Sequence, residues 1–198
     1  LGKVVVLADG GGVAEALTGL LRAEGTDVAT VPAGSKFTRE EHAAVVTRET
    51  GGDHTIVVDL RLLDHPADDL KGDGVVQPIA RMLDAWGSDG KGSARILVAT
   101  RGGHPVAEGD LPQPAQHAAA VLQAVPTLEY LNLACATIAL GASEDAETAA
   151  RALAMELHRP EGTDDVLVGY RAGTRFVREY VPADPAPTIT KSKSSAIK

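Results

Sequence analysis

An apolar run followed by three consecutive glycines and an amphipathic segment constrains the fold of this 198-residue chain most strongly. The apolar run covers residues 4–8, and the glycines are Gly10, Gly11 and Gly12. Apolar side chains then recur at helical spacing over residues 13–21. This is the order of the first strand–turn–helix unit of dinucleotide-binding folds, in which the turn holds a pyrophosphate. The sequence therefore predicts an α/β fold that starts with such a unit.

The residues that would bind the nucleotide are missing from this unit. In the G-x-G-x-x-G pattern, Gly10 and Gly12 are present, but Glu15 stands where the third glycine belongs. Asp9 places a negative charge beside the expected phosphate position. The second apolar run, residues 28–31, is followed by Pro-Ala-Gly, without an acidic residue for a ribose or an arginine for a 2′-phosphate. We therefore predict a nucleotide-type architecture with no cofactor bound in this chain.

Strand and helix patterns alternate along most of the sequence. Strands are predicted at residues 4–8, 28–31, 54–60, 94–100, 133–140, 165–170 and 175–181. Helices are predicted at residues 13–21, 39–49, 75–86, 114–124 and 144–157, with Pro114 in a first turn and Ser143 as an N-cap. The alternation predicts a parallel sheet with flanking helices. The last two strands, joined at residues 171–174, predict an antiparallel hairpin edge.

Composition excludes several functions. A formal net charge of −8 argues against nucleic acid or an anionic membrane as a partner. No apolar run approaches the roughly 20 residues that span a bilayer. One cysteine, Cys135, excludes an internal disulfide and suits a reducing compartment, so we expect a cytoplasmic protein. Residues 183–198 have a linker composition, which predicts one domain over residues 1–182 and a linker toward a following domain.

The histidines do not predict a metal site. Asp53-His54 and Asp64-His65 lie on either side of the third predicted strand. About six strand residues at roughly 3.3 Å each place these pairs about 20 Å apart. Ligands of one zinc ion must instead converge within about 2.2 Å of it.

No catalytic residue is predicted either. Cys135 lies in an uninterrupted apolar strand, which is typical of a buried structural thiol. A short-chain reductase needs a tyrosine with a lysine four residues later. Tyr130, Tyr170 and Tyr180 all lack that lysine.

The turn after the fourth predicted strand contains the best remaining ligand candidate, Arg101. Open α/β sheets bind ligands at the carboxyl ends of their strands, which is where this residue lies. An arginine in an ordinary turn is the commoner explanation. A weaker alternative combines Arg101 with Gly10, Gly11 and Gly12 in one anion- or cofactor-binding site.

Three segments resemble one known family. They are ILVATRGG at residues 96–103, PAQHAAAVLQAVPTLEYLNLACATIAL at 114–140 and DDVLVGYRAGTRFVREYVP at 164–182. Together with the altered glycine turn, they are similar to the structural subdomain of ketoreductases from modular type I polyketide synthases. That subdomain is a truncated, degenerate Rossmann-like fold.

This resemblance implies a non-catalytic scaffold over residues 1–182. It would support an NADPH-dependent β-ketoacyl carrier-protein reductase, with NADPH bound by a separate catalytic subdomain. The implied partners are that subdomain and neighbouring synthase domains, and a homodimer remains open. Two alternatives also remain: a divergent small NAD(P)-dependent oxidoreductase, and a flavodoxin-like module that binds a small anion.

Overall fold

Seven strands form one sheet in a computed structural model that describes residues 1–33, 38, 40, 45, 54–66, 73–89, 92–122, 129–160 and 167–179. The strands are β1 (Lys3–Leu7), β2 (Val28–Val31), β3 (Thr55–Asp59), β4 (Ala94–Arg101), β5 (Leu133–Leu140), β6 (Leu167–Arg171) and β7 (Thr174–Val177). Their order in the sheet is β2-β1-β3-β4-β5-β6-β7. All neighbours pair in parallel except β6 and β7, which are antiparallel. The predicted fold class, including the hairpin edge, is confirmed.

Within the described ranges, four α-helices flank the sheet: α1 (Val13–Ala23), α2 (Asp73–Asp89), α3 (Pro114–Leu122) and α4 (Ala146–Leu157). A short 3-10 helix, Arg61–Asp64, follows β3. The predicted linker at residues 183–198 and nearly all of the predicted helix at residues 39–49 lie outside the described residues.

Helix starts agree with the sequence at one of two predicted positions. Pro114 is the first residue of α3, as expected for a residue without an N–H to donate. Ser143 is not the N-cap of α4. Asp145 has the extended backbone of a cap, and its carboxylate accepts the Thr148 N–H at 2.8 Å.

The sheet is a shortened version of the doubly wound arrangement. The complete order 3-2-1-4-5-6 has two strands on the outer side of the first strand. Among the strands of the described residues, only β2 lies outside β1. The direction of winding changes between β1 and β3, and such switch points are where open α/β sheets hold ligands.

Aliphatic side chains fill both faces of the sheet. In β1, Val4 and Val6 face α1 and α4, whereas Val5 and Leu7 face α2 and α3. Both sets are fully or almost fully buried. Burial on two faces explains why the central strands are continuous apolar runs rather than alternating patterns.

A buried carboxylate connects α4 to the terminal hairpin. Glu156, which is 4% exposed, accepts hydrogen bonds from the Tyr170 hydroxyl at 2.9 Å and from Arg175 Nε at 2.8 Å. Burial, with the adjacent Glu156 charge, raises the pKa of Tyr170 to about 12. Arg95 on β4 donates to the carbonyls of Glu156 and Leu157 at the end of α4, where a cation is favourable. Tyr170 is therefore a structural residue of this junction.

The hairpin turn contains a strained residue. Ala172 and Gly173 form a two-residue loop with φ values of 48° and 77°. A type I′ turn has positive φ at both positions, and asparagine is preferred over alanine at the first. The left-handed conformation is costly for a residue with a Cβ and without a local polar side chain.

We expect Ala172→Asn to raise the free energy of unfolding by about 0.5–1 kcal/mol, because asparagine tolerates this conformation better. Ala172→Val is the matched control and should lower stability, since a β-branched side chain tolerates positive φ poorly. Urea denaturation followed by circular dichroism measures both variants. Equal stability of all three proteins would contradict a strained turn.

Candidate functional site

A carboxylate of the chain itself binds the N-terminus of α1. Asp9, which is 6% exposed, lies two residues after the end of β1. Its Oδ2 accepts the N–H groups of Gly11 at 3.0 Å and Val13 at 3.1 Å, and its Oδ1 accepts that of Ala14 at 2.7 Å. These are the donors that a helix N-terminus offers to an anion such as phosphate. In this chain the anion is Asp9.

A second carboxylate reaches the same turn across the switch point. Asp64 Oδ2 accepts the Gly10 N–H at 2.7 Å. The 3-10 helix that carries Asp64 is held at its start by Asp59, which is 1% exposed and accepts from Arg61 Nε at 2.9 Å and Nη2 at 2.7 Å. Together, Asp9 and Asp64 take four backbone N–H groups of the turn and the first helical residues.

The glycines shape the turn around these carboxylates. Gly12, the residue before α1, has φ of 91°, a conformation that favours glycine. A Cβ on Gly11 would lie only 3.1 Å from Asp9 Oδ2, and one on Gly10 would lie 3.4 Å from Asp64 Oδ2. The triplet thus permits the approach of protein carboxylates to the backbone, which its sequence alone did not reveal.

Arg101, the predicted ligand candidate, binds a different part of the chain. Its Nη1 donates to the carbonyls of Gly141 at 3.1 Å and Glu144 at 2.9 Å, in the loop between β5 and α4. A groove of about 550 Å³ lies beside the glycine turn, with Gly10 and Gly12 in its wall, and Arg101 is not among its lining residues. The structure does not bring Arg101 and the glycine turn into one site.

The loop that follows Arg101 is bound to the hairpin edge. Asp110 Oδ2 accepts Arg171 Nη2 at 2.6 Å and the backbone N–H groups of Val106 at 2.9 Å and Ala107 at 3.1 Å. The hydrogen bonds from Arg171 and these two backbone groups lower the pKa of Asp110 to about 2. Burial and the Arg171 charge lower the pKa of His104 in the same loop.

The other residues considered from the sequence occupy separate places. His54 lies just before β3, and its Nδ1 pairs with Ser93 Oγ at 2.8 Å. His65 lies beyond the other end of β3, directly after the 3-10 helix. No three potential metal ligands of the described residues form a group. Burial raises the pKa of Cys135 to about 12, which keeps the thiol protonated. The Tyr130 hydroxyl donates to Asp84 at 3.2 Å.

Replacing Asp9 tests its role as the internal anion. Asp9→Ala should lower the free energy of unfolding by about 1–3 kcal/mol, because three backbone N–H groups, two of them buried, lose their acceptor. Asp9→Asn, which retains one acceptor oxygen, should lose less. Inorganic phosphate should raise the melting temperature of Asp9→Ala but not that of the unmodified protein. Unchanged stability of Asp9→Ala would contradict the assignment.

The Asp110–Arg171 pair predicts a loss of stability in acid. Because the folded-state pKa of Asp110 lies below its unfolded value, its stabilisation is complete above the unfolded pKa of 3.8 and is lost as the pH falls toward about 2. Urea unfolding between these pH values should show a steeper decline for the unmodified protein than for Asp110→Asn. Parallel declines would show that this carboxylate contributes no pH dependence.

Comparison with known proteins gives matches among solved structures. No protein-family model matches the sequence, and no curated protein matches it. The first ketoreductase of the tylosin polyketide synthase is 27% identical with a TM-score of 0.65, and the alignment covers 89% of this chain and 38% of that one. An A1-type ketoreductase is 27% identical with a TM-score of 0.68, over 94% of this chain and 40% of that one.

A more distant match shares the fold alone. An alcohol dehydrogenase from the archaeon Thermococcus sibiricus is 15% identical with a TM-score of 0.57, covering 91% of this chain and 100% of that one. By contrast, the chain spans only about two-fifths of the ketoreductase structures it matches. The resemblance to polyketide synthase ketoreductases is thereby confirmed: this chain is a Rossmann-like structural relative of those domains and covers a minor part of their length.

Proposed function

We propose that this chain is the non-catalytic structural subdomain of a polyketide synthase ketoreductase. It would scaffold an NADPH-dependent β-ketoacyl carrier-protein reductase whose cofactor is bound by a separate catalytic subdomain. The observation that carries the proposal is the engagement of the α1 N-terminus by Asp9 and Asp64. The donors that a cofactor pyrophosphate needs are already used by protein carboxylates.

The residues of the turn do not fit a dinucleotide. A pyrophosphate would have to displace the carboxylate of Asp9, which would then be buried beside a like charge without its three N–H donors. Beyond β2, Pro32 and Ala33 offer no carboxylate to a ribose hydroxyl. Dinucleotide folds recognise the pyrophosphate and the ribose of the cofactor, and both groups therefore lack their usual partners in this chain.

A scaffold acts by rigidity and by contact surface. The junction of Glu156, Tyr170 and Arg175 ties the last helix to the terminal hairpin. Several large apolar side chains of the chain are exposed, among them Leu111, Val121, Leu131, Phe176 and Val177. In the proposed role, such side chains would pack against the catalytic subdomain and neighbouring synthase domains.

The two alternatives require groups that are engaged elsewhere. A divergent oxidoreductase would use the glycine turn for the pyrophosphate and Arg101 for charge neutralisation. A flavodoxin-like module would direct the same donors at a small anion. The Arg101 guanidinium is instead bonded to the β5–α4 loop, and the turn to Asp9 and Asp64. These contacts favour the scaffold over both alternatives.

The proposed setting is the cytoplasm, where the synthase would work. Within the described part of the chain, no helix combines the length and apolar character required to cross a membrane. The net charge of −8 gives no attraction to anionic lipid surfaces.

Titration with NADPH tests the proposal. We expect the melting temperature of this chain to stay constant up to millimolar NADPH, with an intact ketoreductase as the positive control. A ligand at about 100 times its Kd would stabilise the protein by about 2.7 kcal/mol, which is easily detected. Saturable stabilisation with a micromolar Kd would overturn the proposal and favour the oxidoreductase.

A further inference from the structure

A groove runs along the outer flank of α1, above the edge of the sheet. Its volume is about 550 Å³, and it extends from the glycine turn to Arg22 and the edge strand β2. The helix contributes Glu15, Thr18, Gly19 and Arg22 to its wall, and β2 contributes Thr30. Glu15, Gly19, Arg22 and Thr30 are all exposed. In a complete doubly wound sheet, this flank would be covered by the next strand and its connection.

The outer edge of β2 carries backbone groups that can pair with another strand. On the side that faces β1, the Asp27 carbonyl accepts the Val4 N–H at 2.9 Å. The Val31 carbonyl accepts the Ala8 N–H, also at 2.9 Å. Backbone groups alternate along a strand, so the Val28 and Thr30 carbonyls point outward. Arg22 Nη2 donates to the Val28 carbonyl at 2.9 Å and covers this position in the single chain. Covering by a charged side chain is a usual protection of an edge strand.

The charges of Glu15 and Arg22 on this flank are complementary to those of a second, antiparallel copy of the same flank. Glu15 lies in the first turn of α1 and Arg22 in the last, two helical turns apart on the groove side. Their separation along the axis is about 10.5 Å. The midpoint between them falls at Thr18 and Gly19. An antiparallel copy of α1 would therefore place each Glu15 opposite an Arg22, with Gly19 at the closest approach.

Sheet geometry gives the two helices a normal packing distance. The α1 helix packs over β1 and β2, and Val4, Val6 and Val28 of these strands lie in the same core cluster as its buried side chains. If two β2 strands pair antiparallel about a two-fold axis, adjacent strands lie about 4.8 Å apart. The two α1 helices then lie about 10 Å apart on the same face, at the upper end of the usual interaxial range. Backbone pairing and helix packing are compatible in one arrangement.

We propose that the β2 edge and the α1 flank form a two-fold interface with a second copy of this chain. β2 would pair antiparallel with β2 of the second copy, and the two sheets would become continuous. The Val28 carbonyl would accept a backbone N–H, which releases Arg22 to pair with Glu15 of the second copy. A closed two-fold contact uses the same patch twice, so a self-complementary patch indicates this occupant.

Sedimentation velocity over a wide concentration range tests the interface. The unmodified chain should sediment increasingly as a dimer, at twice the monomer mass of 20.4 kDa, as its concentration rises. Gly19→Gln should remain a monomer at every concentration. A Cβ at Gly19 meets nothing within 4 Å in the single chain, so the substitution should fold normally but block the approach of the second helix.

Charge exchange provides the matched control. Glu15→Arg and Arg22→Glu each place like charges opposite one another twice per dimer, so each should weaken dimerisation at least tenfold. The double variant restores opposite charges and should regain most of the affinity. Circular dichroism must show the same helical content for all variants.

A monomer at all concentrations of the unmodified chain would overturn the proposal. Dimerisation of Gly19→Gln with unchanged affinity would also overturn it, because the contact would then lie elsewhere. The proposal does not depend on the scaffold function, because self-association is measured without NADPH.

Discussion

The hydrogen bonds of Asp9 determine how this fold can be used. A buried carboxylate that accepts three backbone N–H groups neutralises the positive end of α1 from within the chain. The same turn joins β1 to α1, and the direction in which the chain winds through the sheet changes between β1 and β3. Asp64 adds a contact from the other side of the switch point. The place where this architecture normally receives a ligand has become part of its internal bonding.

Charged groups elsewhere in the chain are likewise bound internally. Arg101 holds the β5–α4 loop, Arg171 holds the loop after β4 through Asp110, and Arg175 holds α4 through Glu156. Arg101 and Arg171 lie at the carboxyl ends of strands, where open α/β sheets hold their ligands. Their use as structural contacts is consistent with a scaffold that positions another subdomain.

The sequence predicted elements whose signals are local. The central strands are buried on both faces, so they appear as apolar runs, and α1 and α3 begin where the glycine triplet and Pro114 indicate. Contacts between distant segments were not predictable: the Gly10–Asp64 hydrogen bond joins residues 54 positions apart and requires β1 and β3 to be neighbours. The Asp145 cap was missed because Ser143 offered an equally suitable side chain two residues earlier.

Amide resonances of the glycine turn provide the most direct test of the central claim. Nuclear magnetic resonance on the ¹⁵N-labelled chain can follow the N–H groups of Gly10, Gly11, Val13 and Ala14 during addition of NADPH. If Asp9 and Asp64 occupy these donors, the amides should be protected from hydrogen exchange, and their chemical shifts should remain constant up to millimolar NADPH. Saturable shifts of the same four amides would show that the turn binds a phosphate group and would contradict the account.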